Sequence, residues 1–252
     1  MAKLGPLTIL SLVREVRAGK GEQRPIVVAG ARELVPLLAK ELRRGGDPSA
    51  VRESAPAELG AVLVWIGEPD EAALRAASRA HVPIVGVTEG ESLPYVLDTN
   101  LVSVAPGAGM PVDEVAGRIA AALGELGTGL AARLPVVREA VVEELTRSFS
   151  RRNALVGAAV WIPGADLPLL TLNQVRLVLR IALAHGEEID GARVPELLGV
   201  VGAGFGLRTL VRQLLDFVPV AGWVVKGAVA YAGTRAIGEA ATQYFGSVRQ
   251  RS

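Results

Sequence analysis

The 252-residue sequence contains no cysteine, and that absence removes disulfides, thiolate metal sites and cysteine nucleophiles together. Aromatic side chains are scarce at 4%, so the 50% hydrophobic content rests on small aliphatic residues, and cores packed from Ala, Val and Leu are expected. Histidine is nearly absent, His81 and His185 being the only imidazoles. Excess charge of one sign is lacking as well. The 27 basic and 26 acidic groups leave a net +1, so no global field favours nucleic acid and no nucleic-acid partner is expected. The charge is divided along the chain, however: residues 1–150 hold 16 basic and 19 acidic side chains, net −3, and residues 151–252 hold 11 and 7, net +4.

Near the start, the apolar stretch Gly5 to Val13 lacks the small-residue cleavage site of a signal peptide. Arg14, Glu15 and Arg17 follow at once, and Leu7, Leu10, Val13 and Val16 at steps of three predict an amphipathic helix within residues 1–23. A cytoplasmic protein, peripheral at the inner face of the membrane where it meets lipid, is the expectation.

From Pro25 short β-branched runs alternate with helical patterns. Strands are predicted at Pro25 to Ala29, Ala61 to Ile66, Pro83 to Val87 and Leu101 to Val104, and helices at Arg32 to Arg44, Asp70 to Ala80 and Val112 to Leu126. Runs as continuously apolar as Ala61-Val62-Leu63-Val64-Trp65-Ile66 imply burial on both faces, hence a parallel, Rossmann-like sheet with helices on each side over residues 24–127. An amphipathic connecting helix over 128–152 and an all-α, glycine-rich domain over 153–252 complete the division: α/β followed by all-α.

Ligands of such sheets bind beyond the carboxyl ends of the strands. The loop after the first strand reads Gly30-Ala31-Arg32-Glu33-Leu34, without the GxxxxGK[ST] pattern that wraps phosphates in glycine amides and places a lysine and a hydroxyl on the terminal phosphate and its magnesium. Gly19-Lys20-Gly21 precedes the strand instead of following it. Over residues 24–127 the order of elements resembles the Era-like and TrmE-like GTPase domain. Ala61 to Ile66 is similar to that family's third strand, and Val82-Pro83-Ile84-Val85-Gly86-Val87 to the strand leading to its guanine-recognition motif. Where the family carries Asn-Lys-x-Asp this chain has Thr88-Glu89-Gly90-Glu91, and no Asp-x-x-Gly follows Ile66. The resemblance therefore implies a degenerate, pseudo-GTPase domain, because phosphoryl transfer depends on the parts that are missing. Pro106 leads into the loop Gly107, Ala108 and Gly109 ahead of a helix; it is read as a turn, with an anion or nucleotide loop as the functional alternative, opposed by Asp113 and Glu114 in the first helical turn.

In the connecting helix Val137, Val141, Leu145 and Phe149 repeat at steps of four, and Arg147, Arg151 and Arg152 gather around Phe149. Solvated arginines at a helix end and contact with an anionic lipid surface are the competing readings. Further on, Ile162-Pro163-Gly164-Ala165-Asp166, Leu170-Thr171-Leu172-Asn173-Gln174, Gly202-Ala203-Gly204-Phe205-Gly206-Leu207-Arg208 and Ala230-Tyr231-Ala232-Gly233-Thr234-Arg235-Ala236-Ile237-Gly238-Glu239-Ala240 resemble the YcjF-type domain of unknown function. That resemblance implies a helical, membrane-associated domain placed after an Era-like domain, and implies no reaction. The two most apolar windows, Asn153 to Leu172 and Phe217 to Thr234, are interrupted by Asp166 and by Lys226, and five basic residues stand on either side of a two-span topology.

Arg176 with Arg180, and Arg208 with Arg212, are pairs at i, i+4 on two amphipathic helices, read as solvated faces or as contacts for lipid or an acidic partner. Glycines 199, 202 and 206, and the stripe Ala230, Thr234, Gly238 and Thr242, predict close helix packing within the chain, between subunits of a homo-oligomer, or in lipid. Asp166, Asn173, Gln174, Lys226, Arg235 and Glu239 are polar residues in apolar surroundings, read as hydrogen-bonded structure. His185, ahead of Gly186, is read as part of a helix C-terminus. No catalytic constellation, metal site or cofactor is nominated. The function expected is a non-enzymatic accessory or scaffold protein that binds a membrane surface or partner helices, with a nucleotide-binding regulator and an integral two-span protein as alternatives.

Overall fold

The computed structural model describes residues 11–16, 24–90, 92–105, 107–159, 167–189 and 223–251, together with Gly199. The chain divides into two compact units, residues 19–144 and residues 1–18 with 145–252.

The first unit is an α/β sandwich. Its strands are β1 (Ile26–Gly30), β2 (Val51–Glu53), β3 (Val62–Ile66), β4 (Ile84–Thr88) and β5 (Leu101–Ser103). All pair in parallel, in the order β2-β1-β3-β4-β5. This is the doubly wound order of flavodoxin-like sheets. Side chains alternate across the pleat, and two cores result. Ile26, Val28, Val64, Val85 and Val87 face α2 (Val35–Arg43) and α4 (Val112–Leu123), whereas Val27, Leu63, Trp65 and Ile84 face α3 (Glu71–Arg79). Burial of β3 and β4 on both faces is what their unbroken apolar sequence requires. The short edge strand β2, with Arg52 and Glu53 exposed, has no such signature and was not expected from the sequence. Leading from β2 to β3, the chain crosses so near β1 that a Cβ at Gly60 would stand 2.9 Å from Val27 Cγ2.

The glycines of residues 124–129 make a packed corner. Gly127 and Gly129 are buried, and a Cβ at Gly127 would lie 3.2 Å from Val141 Cγ2. They join α4 to α5 (Thr128–Arg133) and α6 (Pro135–Ala159), whose Leu130, Leu134 and Val137 complete the core on the α2–α4 side. The break between units falls within α6, between Glu144 and Leu145.

In the second unit lie residues 11–16 (α1), the remainder of α6, α7 (Leu167–Ala184) and α8 (Trp223–Arg251). From Leu177 to Ala184 every residue of α7, Arg180 included, is buried. It ends in a Schellman cap: Gly186, at φ +88°, donates to Leu183 O, and Glu187 N donates to Ala182 O at 3.0 Å. α8 runs antiparallel to α6, since Gly238 meets Thr146, Thr234 meets Asn153 and Gly227 meets Ala154. Among the described residues no helix is long and apolar enough to cross a membrane.

Candidate functional site

The topology directs attention to the carboxyl ends of β1 and β3, where the chain reverses its winding. That crevice is closed by its own backbone. Gly30 sits at φ +116°, and a Cβ there would lie 2.1 Å from Ile66 O. The Ala31 amide, which would face a phosphate in a binding turn, donates to Ile66 O at 2.8 Å, and Gly67 N donates to Val87 O at 2.8 Å. Trp65 Nε1 staples the following turn by donating to Glu68 O at 2.9 Å. The helix ends around the crevice are already occupied. Asp70 accepts the amides of Ala72 and Ala73 at 3.0 and 3.1 Å, Pro36 stands in the first turn of α2, and Asp113 and Glu114 open α4. Anions are thus opposed by carboxylates and offered few free amides. Gly107, Ala108 and Gly109 are exposed; Gly107 has φ +77°, and the Ala108 amide closes a turn onto Ala105 O at 2.9 Å.

An open cleft of about 610 Å³ lies at the other end of the sheet, beside the amino end of β4. The last turn of α3, the segment 95–100 and the last turns of α4 enclose it, supplying His81, Tyr95, Thr99, Asn100 and Arg118 to its walls. Two of these residues hold left-handed backbone. His81, at φ +55°, is the C′ residue of a Schellman cap in which it donates to Ser78 O and Val82 N donates to Ala77 O. Tyr95, at φ +64°, accepts from Arg75 Nε at 2.9 Å, and Arg75 pairs in turn with Glu71. The Tyr95 hydroxyl, helped by the Glu71 carboxylate, pushes the Arg75 pKa up. Asn100 Nδ2 donates to Ile84 O at 3.2 Å. Sequence reasoning missed this cleft because its walls come from three separate stretches that only the topology assembles.

In the helical unit a polar chain runs inward from α1. Arg176 pairs with Glu15 at 2.9 Å and reaches Asn173 Oδ1 at 3.5 Å; Asn173 Nδ2 donates to Asn153 Oδ1 at 2.8 Å; Asn153 Nδ2 donates to Thr234 Oγ1 at 2.8 Å; and Thr234 donates to Ala230 O. Asn153 and Thr234 are fully buried. Asn173 therefore sits in a hydrogen-bonded network, and Asn153 was the member the sequence offered but reasoning passed over: it continues the steps of four through Val137, Val141, Leu145 and Phe149. Arg180 is only 7% exposed and does not lie on a solvated face, whereas Arg176 is half-buried and pairs with Glu15. Through the Glu15–Arg176 pair, α1 reaches the side of α7 that the charge pattern assigns to solvent.

The remaining residues singled out from sequence are placed separately. Arg147 is half-buried; Arg151 and Arg152 are exposed, with the Arg152 guanidinium 5.2 Å from the Phe149 ring centroid. Gln174 and Lys226 are half-buried, and Arg235 pairs with Glu239 at 3.0 Å along α8. Asp166, Arg208, Arg212 and the glycines 202 and 206 lie outside the described residues. Among the described residues no group of three or more histidine or acidic side chains could hold a metal ion. Comparison with protein-family models, with curated proteins and with solved structures returns no match.

Proposed function

We propose that this chain is a non-enzymatic accessory protein whose helical unit attaches peripherally to an anionic membrane surface, while its α/β unit keeps the architecture of a nucleotide-binding domain without its site, in the manner of a pseudo-GTPase. The supporting observation is the charge and exposure of the helices around the crossing of α6 and α8. Leu155 is 71% exposed and Val225 44%, flanking the point where Gly157 meets Lys226 and Ala230, with the exposed Arg151 and Arg152 one turn away. Residues 145–159, 167–186 and 223–238 contain no carboxylate at all. Exposed aliphatics beside exposed arginines are the chemistry of an interfacial helix surface.

Co-sedimentation with vesicles tests this reading. Binding is expected to vesicles of phosphatidylcholine with phosphatidylglycerol, to be absent with phosphatidylcholine alone, and to weaken in high salt. At about 1 kcal/mol per cation near such a surface, replacing both Arg151 and Arg152 by Gln lowers partitioning by about thirtyfold. Failure to bind anionic vesicles overturns the proposal and leaves partner helices as the occupants of that surface. Calorimetry with GTP and ATP addresses the α/β half, where no heat of binding is expected.

A further inference from the structure

We infer that the cleft at the amino end of β4 is a binding site for a small organic anion, a carboxylate or phosphate carried on an aromatic or aliphatic body. This inference does not rest on the membrane reading, which concerns the other unit.

Three observations carry it. First, the chemistry of the walls is one-sided. Residues 19–144 hold 12 basic and 18 acidic side chains, net −6, yet among the described residues the lining of this cleft includes Arg118 and His81 and no carboxylate; even Asp98, between Leu97 and Thr99, is not part of it. Arg118 makes no ion pair or hydrogen bond among the described residues, unlike Arg43, Arg75 and Arg133 of the same unit, which pair with Glu53, Glu71 and Asp47. A guanidinium left unpaired in an acidic domain and turned to a carboxylate-free cleft matches the planar, bidentate geometry of a carboxylate or phosphate.

Second, the rim supplies an apolar platform that the fold holds in place at a cost. Tyr95 is 47% exposed and Leu97 69%, and left-handed backbone at a tyrosine is unfavourable. The ring is nonetheless fixed by the Arg75 hydrogen bond to its hydroxyl and by the Arg75–Glu71 pair behind it. Of the three non-glycine residues with positive φ among the described residues, Tyr95 and His81 both line this cleft, and such backbone concentrates where side chains must be held for binding. Third, the size of about 610 Å³ falls within the range of small-molecule sites, and its lining includes the polar residues Thr99 and Asn100, the latter's amide held by its bond to Ile84 O.

The test is calorimetry on the full chain with four probes: phenyl phosphate, benzoate, the neutral isostere benzamide, and inorganic phosphate. Phenyl phosphate and benzoate are expected to bind, and benzamide to bind at least about tenfold more weakly than benzoate, because it lacks the charge that Arg118 meets. Arg118→Gln, on the exposed side of α4, should weaken phenyl phosphate at least about tenfold without lowering the melting temperature. Tyr95→Ala should weaken phenyl phosphate while leaving inorganic phosphate unchanged. Equal affinity for benzamide and benzoate, an Arg118→Gln variant that binds as well as the parent, or no binding of either aromatic anion each overturns the inference.

Discussion

A methyl group added at Gly238 distinguishes the ways in which the small-residue stripe of α8 could be used. A Cβ at this position would lie 2.6 Å from Thr146 Cγ2, 2.7 Å from its Oγ1 and 3.1 Å from its Cβ. Contacts between carbon atoms are optimal at about 3.5–4.0 Å, so all three are too close. Rotating Thr146 exchanges one γ atom for another and leaves its Cβ in the way; the residue is buried and stiff at χ1. Overpacking of this kind costs about 1–3 kcal/mol. Alanine in place of glycine within a helix returns about 1 kcal/mol. Gly233, in the same helix, has nothing within 4 Å of its Cβ position and so isolates the second effect. Gly233→Ala is expected to raise stability by about 1 kcal/mol, and Gly238→Ala to fall below it by about 1–3 kcal/mol. Adding Thr146→Ala to Gly238→Ala should recover part of the loss, with a coupling energy of about 1 kcal/mol or more. Urea unfolding by circular dichroism, with hydrogen exchange of the α8 amides to localise the effect, supplies the measurement. Were Gly238→Ala to stabilise as much as Gly233→Ala, or to show no coupling to Thr146, the stripe would not be packed on α6 and the reasoning would fail.

Other perturbations follow from the same geometry. Asn153→Ala should destabilise the helical unit by about 1–3 kcal/mol in urea unfolding, because Asn173 Nδ2 loses its buried acceptor and Thr234 Oγ1 its donor; Asn173→Ala in the same background should add less than it does alone. His81→Gly should raise the stability of the α/β unit by about 0.5–1 kcal/mol, since glycine takes the left-handed C′ position without the side-chain penalty that exceeds its extra chain entropy; a loss would mean that the imidazole makes a contact worth more than the strain. Asp47 has its pKa lowered below 3.8, chiefly by the Ser49 hydroxyl and amide and then by Arg133. Its charged form therefore contributes stability that is fully present above pH 3.8 and is lost as pH falls through the lower folded value. The stability difference between parent and Asp47→Asn should be constant near neutrality and close in acid, and a difference that widens in acid would contradict that sign.

Much of the α/β unit was legible because buried parallel strands write themselves as unbroken apolar runs: Ala61 to Ile66 and Pro83 to Val87 fall within one residue of β3 and β4. β2 was illegible for the converse reason, its three residues being an edge with two exposed charges. Glycine misleads when read only as punctuation. The expected boundary between 127 and 128 falls at Gly127, which is the point where a chain corner packs against Val141, and the break between units falls later, inside α6. In the helical unit, Arg176 and Arg180 read as a solvated edge because periodicity registers charge and cannot register a partner such as Glu15, 161 positions away.

The sequence by itself determined the α/β-then-helical order, the aliphatic cores, the absence of a GxxxxGK[ST] pattern and the cap at Gly186, since each depends on local pattern or on residue types at fixed spacing. Only the tertiary structure decided that the switch-point crevice is filled by Gly30 against Ile66, that Asn153, Asn173 and Thr234 join across three helices, and that Arg118 comes to share a carboxylate-free cleft with His81 and Tyr95. These are juxtapositions of residues 20 to 81 positions apart, and they follow from strand order and helix crossing, which no local window of the chain encodes.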